Sequence, residues 1–406
     1  MVLARERGKP RRGRLGGVAE EVIGHATCPV LVHVNANGAN PPTTSATTLA
    51  ANNTAGYIVL AGGLDTNADG IPDGYATAQS GWSGVTLNGV NRIYSGGGDI
   101  TIRGKTTAGV VEHWIAGVAI KYQSWINSGA GEIIIDGDSS AYTSYAYGSG
   151  VQLGYGAYNS TIGQGVRLTS AGGSASAPAI YIKGRGSANE NGIDTYYTNT
   201  VDDVVIESVG EGQITLDGDS THVFNDYWYG LDLGGTSILS KSGDINLNGG
   251  ANGLRFNTWQ ATVSSTIVGA CATSTCGGTD TANASSAKIL LTTGRVTSYG
   301  NNNNQLFYTT GQFSILPFAN NQFTSTVDFY ATVGTNAAPV ASFKIGATPS
   351  GTVVWNQPVY VRGPVISTGD IVVVGQSVQT SGWLIAKGGG SEILIKANGN
   401  VTVQAN

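Results

Sequence analysis

The sequence predicts an all-β chain: a right-handed parallel β-helix, or β-solenoid, behind a short and unlike N-terminal helix-strand segment. Three observations predict it. A glycine-bounded phrase recurs along the chain, a second phrase is interleaved with it, and no window carries the sustained i, i+3, i+4 apolar stripe of an amphipathic helix.

The first phrase is a small-residue run, a polar residue, an apolar-x-apolar triplet and a closing glycine. It reads Ser95-Gly-Gly-Gly-Asp-Ile-Thr-Ile-Arg-Gly104, Ser128-Gly-Ala-Gly-Glu-Ile-Ile-Ile-Asp-Gly137, Gly210-Glu-Gly-Gln-Ile-Thr-Leu-Asp-Gly218 and Ser240-Lys-Ser-Gly-Asp-Ile-Asn-Leu-Asn-Gly249. Looser copies lie at Ala179–Gly184 and Ser367–Gly375. Alternation at period two makes each copy a short strand, with Ile100 and Ile102 on one side and Asp99, Thr101 and Arg103 on the other. Such a strand cannot bury its apolar side alone, so it stacks on its copies.

The second phrase, Gly-apolar-x-apolar, stands at Gly84–Leu87, Gly117–Ile120, Gly150–Leu153, Gly230–Leu233 and Gly253–Phe256. Its first starts are 33 residues apart and later steps are irregular, which means loops of varying length on a constant core. Coils of roughly 25–35 residues, stacked at about 4.8 Å, give on the order of ten coils and a rod of roughly 50 Å. The abundant glycine, 61 of 406 residues, is expected to supply positive-φ corners, with the phrase's Asp facing water. A β-sandwich competes for many short strands, but sandwiches do not repeat their own sequence.

This ordering divides the chain into 1–40, a basic N-terminal fragment; 41–92, a leading segment with an Asp-rich loop; 93–260, solenoid repeats; 261–360, an irregular β region with a cysteine loop; and 361–406, C-terminal coils. Charged residues make up 12% and the net charge is −5, which leaves no basic surface suited to a phosphate backbone, so nucleic acid is excluded as a partner. No run is long and apolar enough for a membrane-spanning helix, and Glu20, Glu21 and His25 interrupt what would be the apolar core of a signal peptide. Cys271 and Cys276 bracket Ala272–Thr275, and in an oxidising medium they form a small-loop disulfide or else remain two free thiols; Cys28 stands apart. Ser391–Lys396 and Asn400–Gln404 still read as strands with no polar cap after them, so the rod is expected to continue or to associate end to end.

The loop Asp65-Thr-Asn-Ala-Asp-Gly-Ile-Pro-Asp-Gly74 places oxygen side chains at alternate positions around a tight glycine turn. It is expected to hold a structural Ca²⁺ through Asp65, Asn67, Asp69 and Asp73 with the Ile71 carbonyl, the competing account being a solvated Asx-rich turn. Lacking the acidic twelfth position of an EF-hand, the loop resembles the Asp-x-Asn-x-Asp-Gly-x-x-Asp loops of thrombospondin type 3 and bacterial extracellular calcium repeats. Aromatics concentrate between the phrases, and Tyr145, Tyr147, Tyr196, Tyr197, Tyr227, Trp228 and Tyr229 are candidates for stacking on a glycan or meeting a protein. The densest carboxylates are Asp202, Asp203, Asp217, Asp219, Asp226 and Asp232, with His222 among them; a polysaccharide-active enzyme would need two of them across a bound sugar, whereas turn-capping carboxylates need only face water.

Residues 13–34, ending His-Ala-Thr-Cys-Pro-Val-Leu-Val-His-Val, resemble the last helix and strand of the universal stress protein family. The earlier strands of that fold are absent and Gly17 is followed by Val18, so no nucleotide site is carried over; a fused or mis-started reading frame would explain the segment. The phrases at 95–104, 128–137 and 240–249 resemble filamentous haemagglutinin-type passenger repeats, a likeness that covers roughly 55–260 and about 365–406. The resemblance implies a bacterial extracellular or cell-surface adhesin or exoprotein shaft, non-catalytic, exported by two-partner or autotransporter routes, that meets a surface glycan or protein. The alternatives are a β-helix polysaccharide lyase or hydrolase and a self-assembling filament subunit.

Overall fold

A computed structural model describes residues 31–32, 47–50, 57–63, 66, 72–77, 83–87, 91–107, 115–121, 123–141, 148–154, 165–195, 204–220, 227–257, 266–271, 283–299, 305–319, 323–346 and 356–404. These residues form a parallel β-helix with three faces, the first of thirteen strands, all but one of them parallel, and the other two of eleven parallel strands each. The chain visits the faces in fixed rotation. Ile100–Lys105 lies on the first face, Ile115–Ile120 on the second and Ser124–Gly129 on the third, and Ile133–Asp138 then returns to the first.

The first phrase builds the first face and the second phrase builds the second. Ile100 aligns with Ile133, and the rung continues through Ile180, Ile214, Ile245 and Ile289. All of these are at most 1% exposed, and each buried aliphatic side chain contributes about 1.5–3 kcal/mol.

The pattern does not stop at residue 260. Strands Ile267–Ala270, Ile289–Thr293, Val296–Tyr299, Leu306–Tyr308, Gln312–Pro317, Val327–Phe329, Thr332–Val333 and Ser342–Ile345 stay on the same three faces, so the stretch expected as an irregular β region continues the solenoid. Its phrases read differently because phenylalanine replaces isoleucine on the inner rungs. Phe307 meets Phe256 edge-on at 5.3 Å, and Phe313 stacks on Phe343 at 5.4 Å with planes 4° apart. Such pairs add about 0.5–1.5 kcal/mol each beyond burial.

The glycines act differently from the expectation. Gly96, Gly97, Gly129 and Gly173 do have positive φ at the corner between third and first faces. The closing glycines Gly104, Gly137, Gly184 and Gly218 do not; they sit where the first face bends against the second. A Cβ on Gly137 would stand 2.7 Å from the Gly150 carbonyl carbon, and one on Gly218 2.6 Å from that of Gly230. Close approach of backbone, repeated in coil after coil, is the reason only glycine fits.

The phrase's Asp faces water as expected, exposed at Asp99 and Asp370 and half-buried at Asp244, and it also has a main-chain partner. The Asp99 carboxylate accepts from Glu132 N at 2.8 Å, Asp244 from Lys288 N at 2.7 Å and Asp370 from Glu392 N at 3.0 Å. Each reaches one coil ahead and satisfies a main-chain donor where the ladder turns the corner.

The third face follows a shorter pattern, apolar-x-Ser, at Ile93-Tyr-Ser95, Ile126-Asn-Ser128, Leu168-Thr-Ser170, Ile206-Glu-Ser208 and Ile238-Leu-Ser240. These serines are at most 1% exposed. Their hydroxyls donate to corner carbonyls, Ser128 to Gly131 at 2.6 Å, Ser208 to Gly212 at 2.7 Å and Ser240 to Gly243 at 2.6 Å.

At the N-terminal end Leu31–Val32 pairs antiparallel with Ile58–Ala61 of the first face. The strand expected within Pro29–Val34 is therefore present and packs on the solenoid, while the expected helix lies outside the described residues. At the other end Ile393, Val401 and Val403 are 46%, 49% and 70% exposed. Among the described residues no helix is long and apolar enough to cross a membrane.

Candidate functional site

Outward side chains form polar rungs over the coils, and three groups of them bear on function. The first surrounds the Asp-rich loop, which leaves the first face after Ile58–Ala61, is closed by an antiparallel bridge between Gly62 and Gly74, and returns at Ala76–Thr77. Asp65, Asn67, Asp69 and Ile71 lie outside the described residues. Asp73 is described: its Oδ2 accepts from Thr66 N at 2.8 Å and from Thr66 Oγ1 at 2.5 Å, while Arg103 donates to its carbonyl at 3.2 Å. The Tyr75 hydroxyl donates to Asp136 at 2.8 Å; burial, and then the Asp136 carboxylate, push its pKa up to about 12. The loop is thus tied to the first complete coils from both of its ends.

The second group lies on the second face, where Gln152, Asp194, Asp232 and Arg255 occupy successive outward rungs. Gln152, Asp194 and Asp232 are at most 3% exposed although they point away from the core. Arg255 Nε donates to Asp232 Oδ1 at 2.9 Å and its Nη2 to Asp232 Oδ2, a bidentate pair. Asn191 donates to Asp232 at 3.3 Å and to Glu190 at 3.0 Å, and its own carbonyl oxygen accepts from Tyr229 N at 2.8 Å. Burial, then the nearby Asp194 carboxylate, raise the Glu190 pKa well above the usual carboxylate range.

Tyr229 is the hub of that network. The guanidinium of Arg295 lies 4.0 Å from its ring centroid and that of Arg255 4.7 Å. Arg295 also donates to the carbonyls of Asn252 at 2.8 Å and Trp228 at 3.0 Å. Tyr229, expected on a binding surface, is instead 2% exposed, because two buried cations use its ring as their apolar-side partner. Neighbouring Tyr227 is 71% exposed and Trp228 half-buried, so the aromatic triplet splits between surface and interior. Tyr145, Tyr147, Tyr196 and Tyr197 lie outside the described residues.

The densest carboxylates of the sequence are not brought together where they are described. Asp217 and Asp219 belong to the first face and Asp232 to the second. Asp217 accepts from Asn248 Nδ2 at 2.7 Å and Asp219 from Ser220 N at 2.9 Å. Asp202, Asp203, His222 and Asp226 lie outside the described residues. Cys271 is disulfide-bonded, and Cys28 and Cys276 lie outside the described residues. Among the described residues no group of three or more His, Cys, Asp or Glu is arranged to hold a metal ion.

The third group escaped the sequence reading. On the outer side of the third face Arg92, Trp125 and Arg167 are successive rungs. The Arg92 guanidinium lies 3.8 Å from the centroid of Trp125, and Arg167 is steadied by Glu207 at 3.2 Å. Its signal was the short phrase of that face: each residue stands immediately before the apolar-x-Ser triplet of its coil, in Arg92-Ile-Tyr-Ser95, Trp125-Ile-Asn-Ser128 and Arg167-Leu-Thr-Ser170.

The described residues define a parallel β-helix with polar outward rungs on its three faces. Comparison with protein-family models, with curated proteins and with solved structures finds no match.

Proposed function

We propose that the chain is a non-catalytic shaft of a bacterial extracellular or cell-surface adhesin or exoprotein, which presents side loops and polar rungs to a surface glycan or protein. The observation that carries this reading is the continuity of the three ladders from Ile58 to Val403, with long connections beside the second face, at 139–147, 154–165 and 195–203, and one at 271–288 between the third face and the first. A rod that varies only in its loops separates a rigid scaffold from a variable contact surface, which suits adhesion. The disulfide at Cys271 supports an oxidising compartment.

The burial of Glu190, Asp194 and Asp232, all at most 3% exposed, supports a structural use of this acidic network over glycoside hydrolysis, in which two carboxylates must flank a bound sugar. Arg255 completes the case, since a carboxylate held by two guanidinium donors is a poor proton carrier. Display of the chain on the surface of a non-adherent bacterium tests the proposal. Increased attachment to glycan- or protein-coated surfaces, with no cleavage of soluble polysaccharide, is expected; unchanged attachment, or cleavage, would refute it.

A further inference from the structure

We infer that the outer side of the third face, across Arg92, Trp125 and Arg167, binds an extended anionic glycan, a polyuronate or similarly carboxylated chain. The inference builds on the adhesive-shaft reading by naming a ligand class for it.

Trp125 is 40% exposed on the outer side of the third face and presents an aromatic surface between two cationic rungs. Arg92 uses Nη1 to hold the carbonyls of Asn91 at 2.9 Å and Gln123 at 2.7 Å, which locks its guanidinium against the indole. Among the described residues its Nε and Nη2 donors have no protein partner and can meet a ligand. Arg167, with its side chain 51% exposed, gives one Nη2 bond to Glu207 and presents its other donors outward. Among the described residues the strip therefore carries two guanidiniums and one carboxylate, Arg92 against the indole and Arg167 on the rung after it.

On one side the strip is bounded: the rung beyond Arg167 is Val205, half-buried, and then Ser237, 1% exposed, so the face becomes covered there. Rungs about 4.8 Å apart rise by a step comparable to one monosaccharide of an extended chain. A pyranose can lay its C–H face against the part of the exposed indole that Arg92 leaves uncovered, while carboxylates on the neighbouring sugars meet the guanidiniums, which recognise that group with paired donors. The neighbouring outward column, Tyr94, Asn127 and Thr169, offers hydroxyl and amide groups to the sugar edges.

Calorimetry on the full chain tests this with a galacturonate hexamer as probe, and with cellohexaose and oligo-dT as neutral and nucleic-acid comparators. Saturable binding of the hexamer that weakens as salt rises is expected, together with about a tenfold loss in Trp125→Ala and in Arg167→Gln, and partial recovery in Trp125→Phe. Lys241→Gln, an exposed cation two coils beyond Arg167, leaves binding unchanged, and circular dichroism melts report whether each variant is folded. Absence of hexamer binding, equal binding of cellohexaose, preference for oligo-dT, or full binding by folded Trp125→Ala would overturn the inference. The shaft reading fails separately: displaying cells that attach without hexamer binding overturn this site alone, while hexamer binding lost in Trp125→Ala supports the site even where attachment is unchanged.

Discussion

Alanine at Gly137 tests why the first phrase closes on glycine. Its added Cβ would lie 2.7 Å from the Gly150 carbonyl carbon and 2.7 Å from Val151 Cγ2. Ordinary carbon contacts are about 3.5–4.0 Å, so main chain on the adjoining face would have to move by about 1 Å. Overpacking of that kind costs about 1–3 kcal/mol, and reduced freedom of the unfolded chain returns about 0.4–1 kcal/mol, leaving a net loss of about 1–2 kcal/mol. Two other glycines isolate the cause. Gly389 has open space around it and no positive φ, so Gly389→Ala is expected to be neutral or stabilising by up to about 1 kcal/mol. Gly390 also has open space but φ +86°, so Gly390→Ala is expected to lose about 1–2 kcal/mol from backbone strain alone. Urea unfolding followed by circular dichroism reads all three as midpoint shifts, which stay meaningful where a repeat array does not unfold in two states. A Gly137→Ala midpoint at or above that of the parent would refute the close-approach account.

Four further outcomes follow from the same geometry. Glu190 has a folded pKa raised above its unfolded value near 4.5, so it costs stability as pH rises from the unfolded value through the folded one; Glu190→Gln should raise the melting temperature at neutral pH and leave it unchanged below about pH 4, and an equal gain at both pH values would contradict this. Asp232→Ala leaves Arg255 buried without its partner and should cost about 3–5 kcal/mol in a denaturant melt, more than Asp232 and Arg255 replaced together by apolar residues. Calorimetry should find millimolar-or-tighter Ca²⁺ binding that is lost in Asp69→Ala, and a parent chain with no heat of binding would remove the metal from the account. Lysine at Val401 and Val403, exposed on the last coil, should lower the apparent mass of the chain in sedimentation at high concentration; no change would mean that this end does not self-associate.

Two of the three faces were legible in the sequence because their strands carry glycine at fixed places, and glycine is imposed there by backbone approach. The third face was not, since its marker is a single buried serine and its outward residues range from Arg92 to Trp125 to Val205. A register shift between Thr169 and Ser170 blurs its spacing further. The 261–360 stretch was misread because phenylalanines fill the same rungs that isoleucines fill elsewhere, which changes the phrase while keeping its period. The charge network was hidden for a different reason. Asp232 meets Arg255 across 23 residues and Asn191 across 41, while Arg295 reaches Trp228 across 67, separations set by how many residues each coil spends on its loops. Tyr229 looked like its neighbours in composition, and only its place between two guanidiniums distinguishes it from exposed Tyr227.

The central claim, ligand contact without catalysis by a β-helical shaft, is tested most directly by incubating the chain with a soluble polyuronate and following retention and chain ends in the same sample. Saturable retention with a constant number of reducing ends and no unsaturated product is the predicted result. A steady rise in either product over time would contradict the account and return the carboxylates of the second face to the centre of the molecule's function.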